Sequence, residues 1–173
     1  MERIENLRDM LGKKLATLRG GMREGIGLSG SVEILHIRDG KVIDRRDFKN
    51  ITVATGRAEV AGLINGVTTG PFTYIAIGTG TTGPVDGNTA LEAEISSGGG
   101  ERSSAACSRV TTDTANDTAQ LQHTFNFTAS FAVTESGVFD AATAGVMLCR
   151  QVFSALNVES GDSLQITWKI DVD

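Results

Sequence analysis

Two stretches of the chain alternate apolar and polar residues with a period of two. Leu121, His123, Phe125 and Phe127 alternate with Gln122, Thr124 and Asn126, and Leu164, Ile166, Trp168 and Ile170 alternate with Gln165, Thr167 and Lys169. Successive side chains of a strand point to opposite faces, so each run predicts a strand with one face in a core and one in water, as in an antiparallel sheet. Ser31 to Ile37 and Lys41 to Asp47 flank Asp39-Gly40, a dipeptide that accepts the left-handed backbone of a tight hairpin turn. Asn50 to Val53 continues in extended form. Phe72 to Ile77, Ala129 to Val133 and Val146 to Phe153 supply further strands, the last apolar on both faces apart from Arg150 and Gln151. The set predicts a mainly β protein with an antiparallel β-sandwich or barrel-like body.

Helical spacing occurs in fewer places. Ala58, Val60, Ala61, Leu63 and Ile64 predict a short helix packed on the sheet over Gly56 to Ile64, opened by Thr55 and closed by Gly66. Asn88 to Glu94 is expected to form one or two helical turns, and Ser97 to Glu101 a flexible loop. Near the start, Ile4, Leu7, Met10, Leu11, Leu15 and Leu18 recur at three- and four-residue steps between Glu2 and about Arg19, the pattern of an amphipathic helix. Ile4, Leu7, Leu11 and Leu18 also fit a coiled-coil seam, but Lys14 takes an inward position and the repeat is short. Docking on a larger partner is therefore expected over a free-standing coiled coil. Gly20, Gly21, Gly25, Gly27 and Gly30 follow as a hinge, which divides the chain into a helical arm with its hinge at 1–30 and a β-rich body at 31–173.

Charge sharpens that division. The net charge is −5, yet residues 1–49 carry 11 of the 16 Lys and Arg and 8 of the 21 Asp and Glu, a local +3 against −8 for the rest. A basic arm and an acidic body suit different partners. The predicted anchor combines the apolar positions Ile4, Leu7, Met10, Leu11, Leu15 and Leu18 with Arg8, Lys13 and Lys14. The hydrophobic content of 40% is enough for a core, and 21 glycines against 2 prolines match many turns between short elements. No run is long and apolar enough for a membrane span, and Met1 to Gly20 lacks the apolar core of a secretory signal, so synthesis in a cytoplasm and no membrane partner are expected. Cys107 and Cys149 are then expected to be small, buried, free thiols.

Candidate chemistry is sparse. Gly78-Thr79-Gly80-Thr81-Thr82-Gly83 spells G-x-G-x-x-G after a strand, but a dinucleotide fingerprint needs a helix opening at that loop, and Pro84-Val85-Asp86-Gly87 follows instead. A structural turn or subunit-contact loop is expected. His36 and His123 are the only histidines, both on strands, and nothing nearby marks Cys107 or Cys149 as an activated nucleophile. Asp113, Asn116 and Asp117 share one polar loop without the spacing of an EF-hand, which leaves a bound calcium open with a solvated turn as the default. An acidic body with few aromatics argues against nucleic acid. No catalytic residue, cofactor, metal or small-molecule substrate is expected.

Four segments in order carry a resemblance: Tyr74-Ile75-Ala76-Ile77-Gly78-Thr79-Gly80, Thr89-Ala90-Leu91-Glu92-Ala93-Glu94, Val133-Thr134-Glu135-Ser136-Gly137-Val138-Phe139-Asp140, and Val152-Phe153-Ser154 with Gly161-Asp162-Ser163-Leu164-Gln165-Ile166-Thr167-Trp168. Together they resemble a family of tailed-bacteriophage virion proteins described as tail-fibre or head-decoration components. The resemblance implies a non-enzymatic structural protein whose β-sandwich-like body assembles with copies of itself, as a trimer or other symmetric homo-oligomer, and with the major capsid protein or tail proteins. It implies residence in the virion. The detachable arm favours capsid decoration, as a cement or minor capsid protein, with a tail-fibre or receptor-binding component as the alternative.

Overall fold

A computed structural model describes residues 27–172. The elements in chain order are β1 (Leu28–Arg38), β2 (Lys41–Lys49), β3 (Ile51–Thr52), α1 (Ala54–Asn65), β4 (Tyr74–Gly78), β5 (Ser103–Ser104), β6 (Ala106–Val110), β7 (Thr118–Asn126), β8 (Phe131–Phe139), β9 (Met147–Val158) and β10 (Ser163–Val172). They build two five-stranded sheets, ordered β2-β1-β10-β7-β6 and β3-β9-β8-β4-β5. Every strand pair is antiparallel. The inner faces share one core, to which the first sheet gives Val32, Ile34, Phe125, Ile166 and Trp168 and the second gives Ile75, Ile77, Val138 and Leu156. Trp168 is fully buried, and its indole N–H donates to Ser136 Oγ across the sheets at 3.2 Å. The Ser136 hydroxyl in turn donates to the Ala76 carbonyl at 2.9 Å, so the one polar tip in this part of the core is satisfied. The sandwich that the alternating strands predict is the architecture observed.

The second sheet is covered on both faces along the middle of β8 and the start of β9. Ala76, Phe139 and Met147 point away from the shared core and form a smaller cluster with Val53 and with Leu91 from the loop after β4. Accordingly β8 is buried at every position from Val133 to Phe139. Two dry faces also explain why Val146 to Phe153 reads as apolar without alternation.

Several local expectations hold, and others are corrected. The β1–β2 hairpin turns on Asp39 (φ 51°) and Gly40 (φ 71°), with Arg38 paired to Lys41, the two-residue loop that the Asp-Gly dipeptide favours. Helix α1 ends at Gly66 in the left-handed region (φ 74°), as expected, but starts earlier, with Val53 rather than Thr55 at its N-cap. Thr55 lies within the first turn, and its hydroxyl faces the Met147 carbonyl. Asn88 to Glu94 forms no helix. Its amides are drawn into contacts with β8, and Glu94 bridges to Gly78. Cys149 is buried, whereas Cys107 sits exposed on the edge strand β6, contrary to expectation. The predicted helix from Glu2 to Arg19 lies outside the described residues, and Leu28 to Gly30 are already part of β1.

Candidate functional site

Residues 79–102 join β4 to β5, a long connection for a compact domain. It is held to the outer face of the second sheet by one carboxylate. Glu135 on β8 is fully buried and accepts the Gly80 amide (3.0 Å) and Ala93 amide (2.8 Å) on Oε1, and the Glu92 amide (3.1 Å) on Oε2. Arg150 on the neighbouring β9, also buried, reaches Glu135 Oε2 with Nε at 2.9 Å and Nη2 at 2.8 Å. Its Nη1 donates to Asn88 Oδ1 at 3.1 Å, so the cation as well as the anion ties down the loop. Removing two charges from water is costly, and the geometry offsets that cost by surrounding the carboxylate with donors from three loop amides and a guanidinium.

The same carboxylate explains two glycines of the G-x-G-x-x-G run. A Cβ on Gly78 would lie 2.5 Å from the Ala93 carbonyl oxygen. One on Gly80 would meet Glu92 Cβ and Glu135 Oε1 below contact distance. These glycines let the chain pass over Glu135. The Thr82 amide and hydroxyl donate to Glu92, at 2.7 and 2.8 Å, and these bonds hold the Glu92 carboxyl below its usual range. The Gly80 and Thr82 donors of the run are thus committed to protein carboxylates. The loop is the structural turn that the sequence suggested.

At its rim the loop exposes Thr81, Thr82, Gly83, Asp86 and Gly87, with Val85 57% exposed. Asp86 pairs with Arg57 of α1 at 2.7 Å, and its carbonyl accepts the Ala54 amide. At the far end Arg102 lies 3.6 Å above the Phe139 ring, pairs with Glu94 at 2.6 Å, and donates to the carbonyls of Ala141 and Ala144. The loop is thus tied to the body at both ends, through Asp86 and Arg102.

The remaining candidates have structural partners. His36 is buried with Nε2 2.9 Å from Asp162 Oδ2, and Asp162 also receives Arg38 through Nε and Nη2, both at 2.7 Å, and the Glu159 amide. Hydrogen bonding from Arg38 holds the Asp162 carboxyl well below the usual carboxylate range. His123 is half-buried, with Nδ1 3.0 Å from the Ser104 carbonyl, and burial lowers its pKa. Burial pushes both thiols up, strongly for Cys149, the opposite of nucleophile activation. In the polar loop of Asp113, Asn116 and Asp117, Asp117 accepts the amides of Thr112, Asp113 and Thr114 and the Thr118 hydroxyl, so its oxygens serve the turn itself. Among the described residues no three His, Cys, Asp or Glu side chains gather as a metal site. The anchor residues Ile4, Leu7, Arg8, Met10, Leu11, Lys13, Lys14, Leu15 and Leu18 lie outside the described residues.

Residue-level reading missed Glu135, Arg150 and Asn88 as the clamp. The available signal was a lone arginine in the apolar run Met147 to Phe153 and a lone glutamate between Val133 and Phe139.

The comparison with known families gives this two-sheet body with its clamped loop a setting: the virion of a tailed phage. Residues 51–170 match the family model described as podophage GP4 fiber I protein gp80, and the chain belongs to that family of virion structural proteins. The match runs from β3 into β10 and includes the whole clamped loop. No protein with a curated description matches the sequence.

Proposed function

We propose that this protein is a non-enzymatic structural subunit of a podophage tail fibre, rather than the capsid decoration protein that the arm suggested. The observation that carries this reading is the family match over residues 51–170, whose description names a fibre protein. The geometry supports it. A sandwich whose second sheet is covered on both faces at its centre gives a stiff unit, and the clamped loop offers a surface of constant shape for lateral contact. In a fibre the subunit assembles with copies of itself, as a trimer or other symmetric homo-oligomer, and with tail proteins. Gold-labelled antibody against the body, applied to purified virions, tests the assignment. Label confined to the tail appendages, at low copy number, is the expected result. Label spread over the head lattice would return the protein to capsid decoration.

A further inference from the structure

Helix α1 is covered less than its composition requires. Of its twelve residues only Gly56 is buried, held against the Leu148 backbone where a Cβ would not fit. Val60 and Leu63 are half-covered, Ile64 is 75% exposed, and Val67 just beyond the helix is 79% exposed. Between this helix and the end of the first sheet opens a groove of about 580 Å³, walled by Leu28, Val60, Ala61, Ile64 and Val172. Asn50, Thr52 and Arg57 complete its lining. An apolar wall of this size left open to water is a surface lacking its cover.

The chain itself indicates the cover. Leu28 pairs with Val172 at the end of the first sheet, and both line the groove, so the described part of the chain begins at its rim. At helical spacing Ile4, Leu7, Leu11, Leu15 and Leu18 share one side, with Arg8 and Lys14 at its margins and Lys13 opposite. The glycine-rich stretch from Gly20 to Gly27 spans up to about 25 Å when extended, enough to turn back over the groove. A tether that short holds the segment at an effective concentration of about a millimolar or more.

We propose that the apolar side of the segment from Ile4 to Leu18 docks in this groove of its own chain, covering Ile64, Leu28 and Val172. Docked in this way, the segment turns Lys13 outward and keeps Arg8 and Lys14 at the edge, where they meet an acidic partner. The anchor is then a charged ridge mounted on the body. This inference goes beyond the fibre assignment and is tested independently of it.

The test is hydrogen exchange on the full chain and on a Leu7→Asp, Leu11→Asp double variant, whose substitutions lie outside the body. Amides of Ala61 to Asn65 should exchange roughly tenfold faster or more in the variant, with those of Ile166 and Trp168 unchanged. Ile64→Asp, at an exposed position that leaves the body folded, should in turn speed exchange across Leu7 to Leu18. Equal exchange at Ala61 to Asn65 in both chains overturns the proposal. So does protection that fades on dilution, which would mean docking on a second copy.

Discussion

The two sheets have the same number of strands and opposite surroundings. The first leaves its outer face to water and dresses it with cross-strand polar pairs: Gln122 to Thr167 at 2.9 Å, Ser163 to Asn126 at 2.8 Å and Gln165 to Thr124 at 3.3 Å. Such cross-strand pairs, exposed or part-buried, are worth about 0.2–1 kcal/mol each. The second sheet has no wet face along β8, and there a single carboxylate orders a loop 55 positions away in sequence. A polar residue on the open face of the first sheet decorates a surface. On the second it fixes a structure, because its partners have no water to fall back on.

Substitutions can break this contrast, the strongest first. Arg150→Ala leaves Glu135 dry and without its cation, and should cost about 3–5 kcal/mol in urea unfolding. Leu91→Ala opens the small outer cluster and should cost about 2–4 kcal/mol by the same measurement. Asp162→Asn tests the first sheet's own buried charge, which sits at the β10 end rather than on the open face. Loss of the charge-assisted bonds from Arg38 and His36 should cost about 1–3 kcal/mol at neutral pH. The pH dependence has a definite sign. Asp162 is held below its ordinary value in the folded state, so its contribution is complete above the unfolded carboxylate pKa of about 4 and is lost as pH falls through the acid range. Stability measured against pH should therefore fall on acidification, and less steeply in Asp162→Asn. Smallest of all, Gln122→Ala on the open face should change stability by less than about 0.5 kcal/mol. A Gln122→Ala loss equal to that of Arg150→Ala would erase the distinction between the sheets.

The contrast also explains what could be read from sequence. Strands β7 and β10 announce themselves because one wet face imposes alternation, and Asp39-Gly40 marks the hairpin of β1 and β2. Edge strand β6, Ala106 to Val110, buries too little to leave a pattern. In the second sheet β4 is legible as an apolar run. But β8 was traced only to Val133, since Thr134-Glu135-Ser136-Gly137 looks like a turn and is buried only because distant groups satisfy it. Asn88 to Glu94 has the composition of a helix and loses that conformation to the carboxylate that takes its amides. The glycines at Gly78 and Gly80 were visible, but their reason lay in β8. Local pattern reports local constraint, and the candidate site is made of non-local ones.

The central claim is that Glu135 and Arg150 hold the loop over the second sheet as part of the folded body. Residue-resolved hydrogen exchange at Gly80, Glu92 and Ala93 measures this directly. The amides that Glu135 accepts should exchange as slowly as that of Val138 in β8, and should lose that protection in Arg150→Ala. Exchange at Gly80, Glu92 and Ala93 as fast as at the exposed Gly87 of the same loop would contradict the claim.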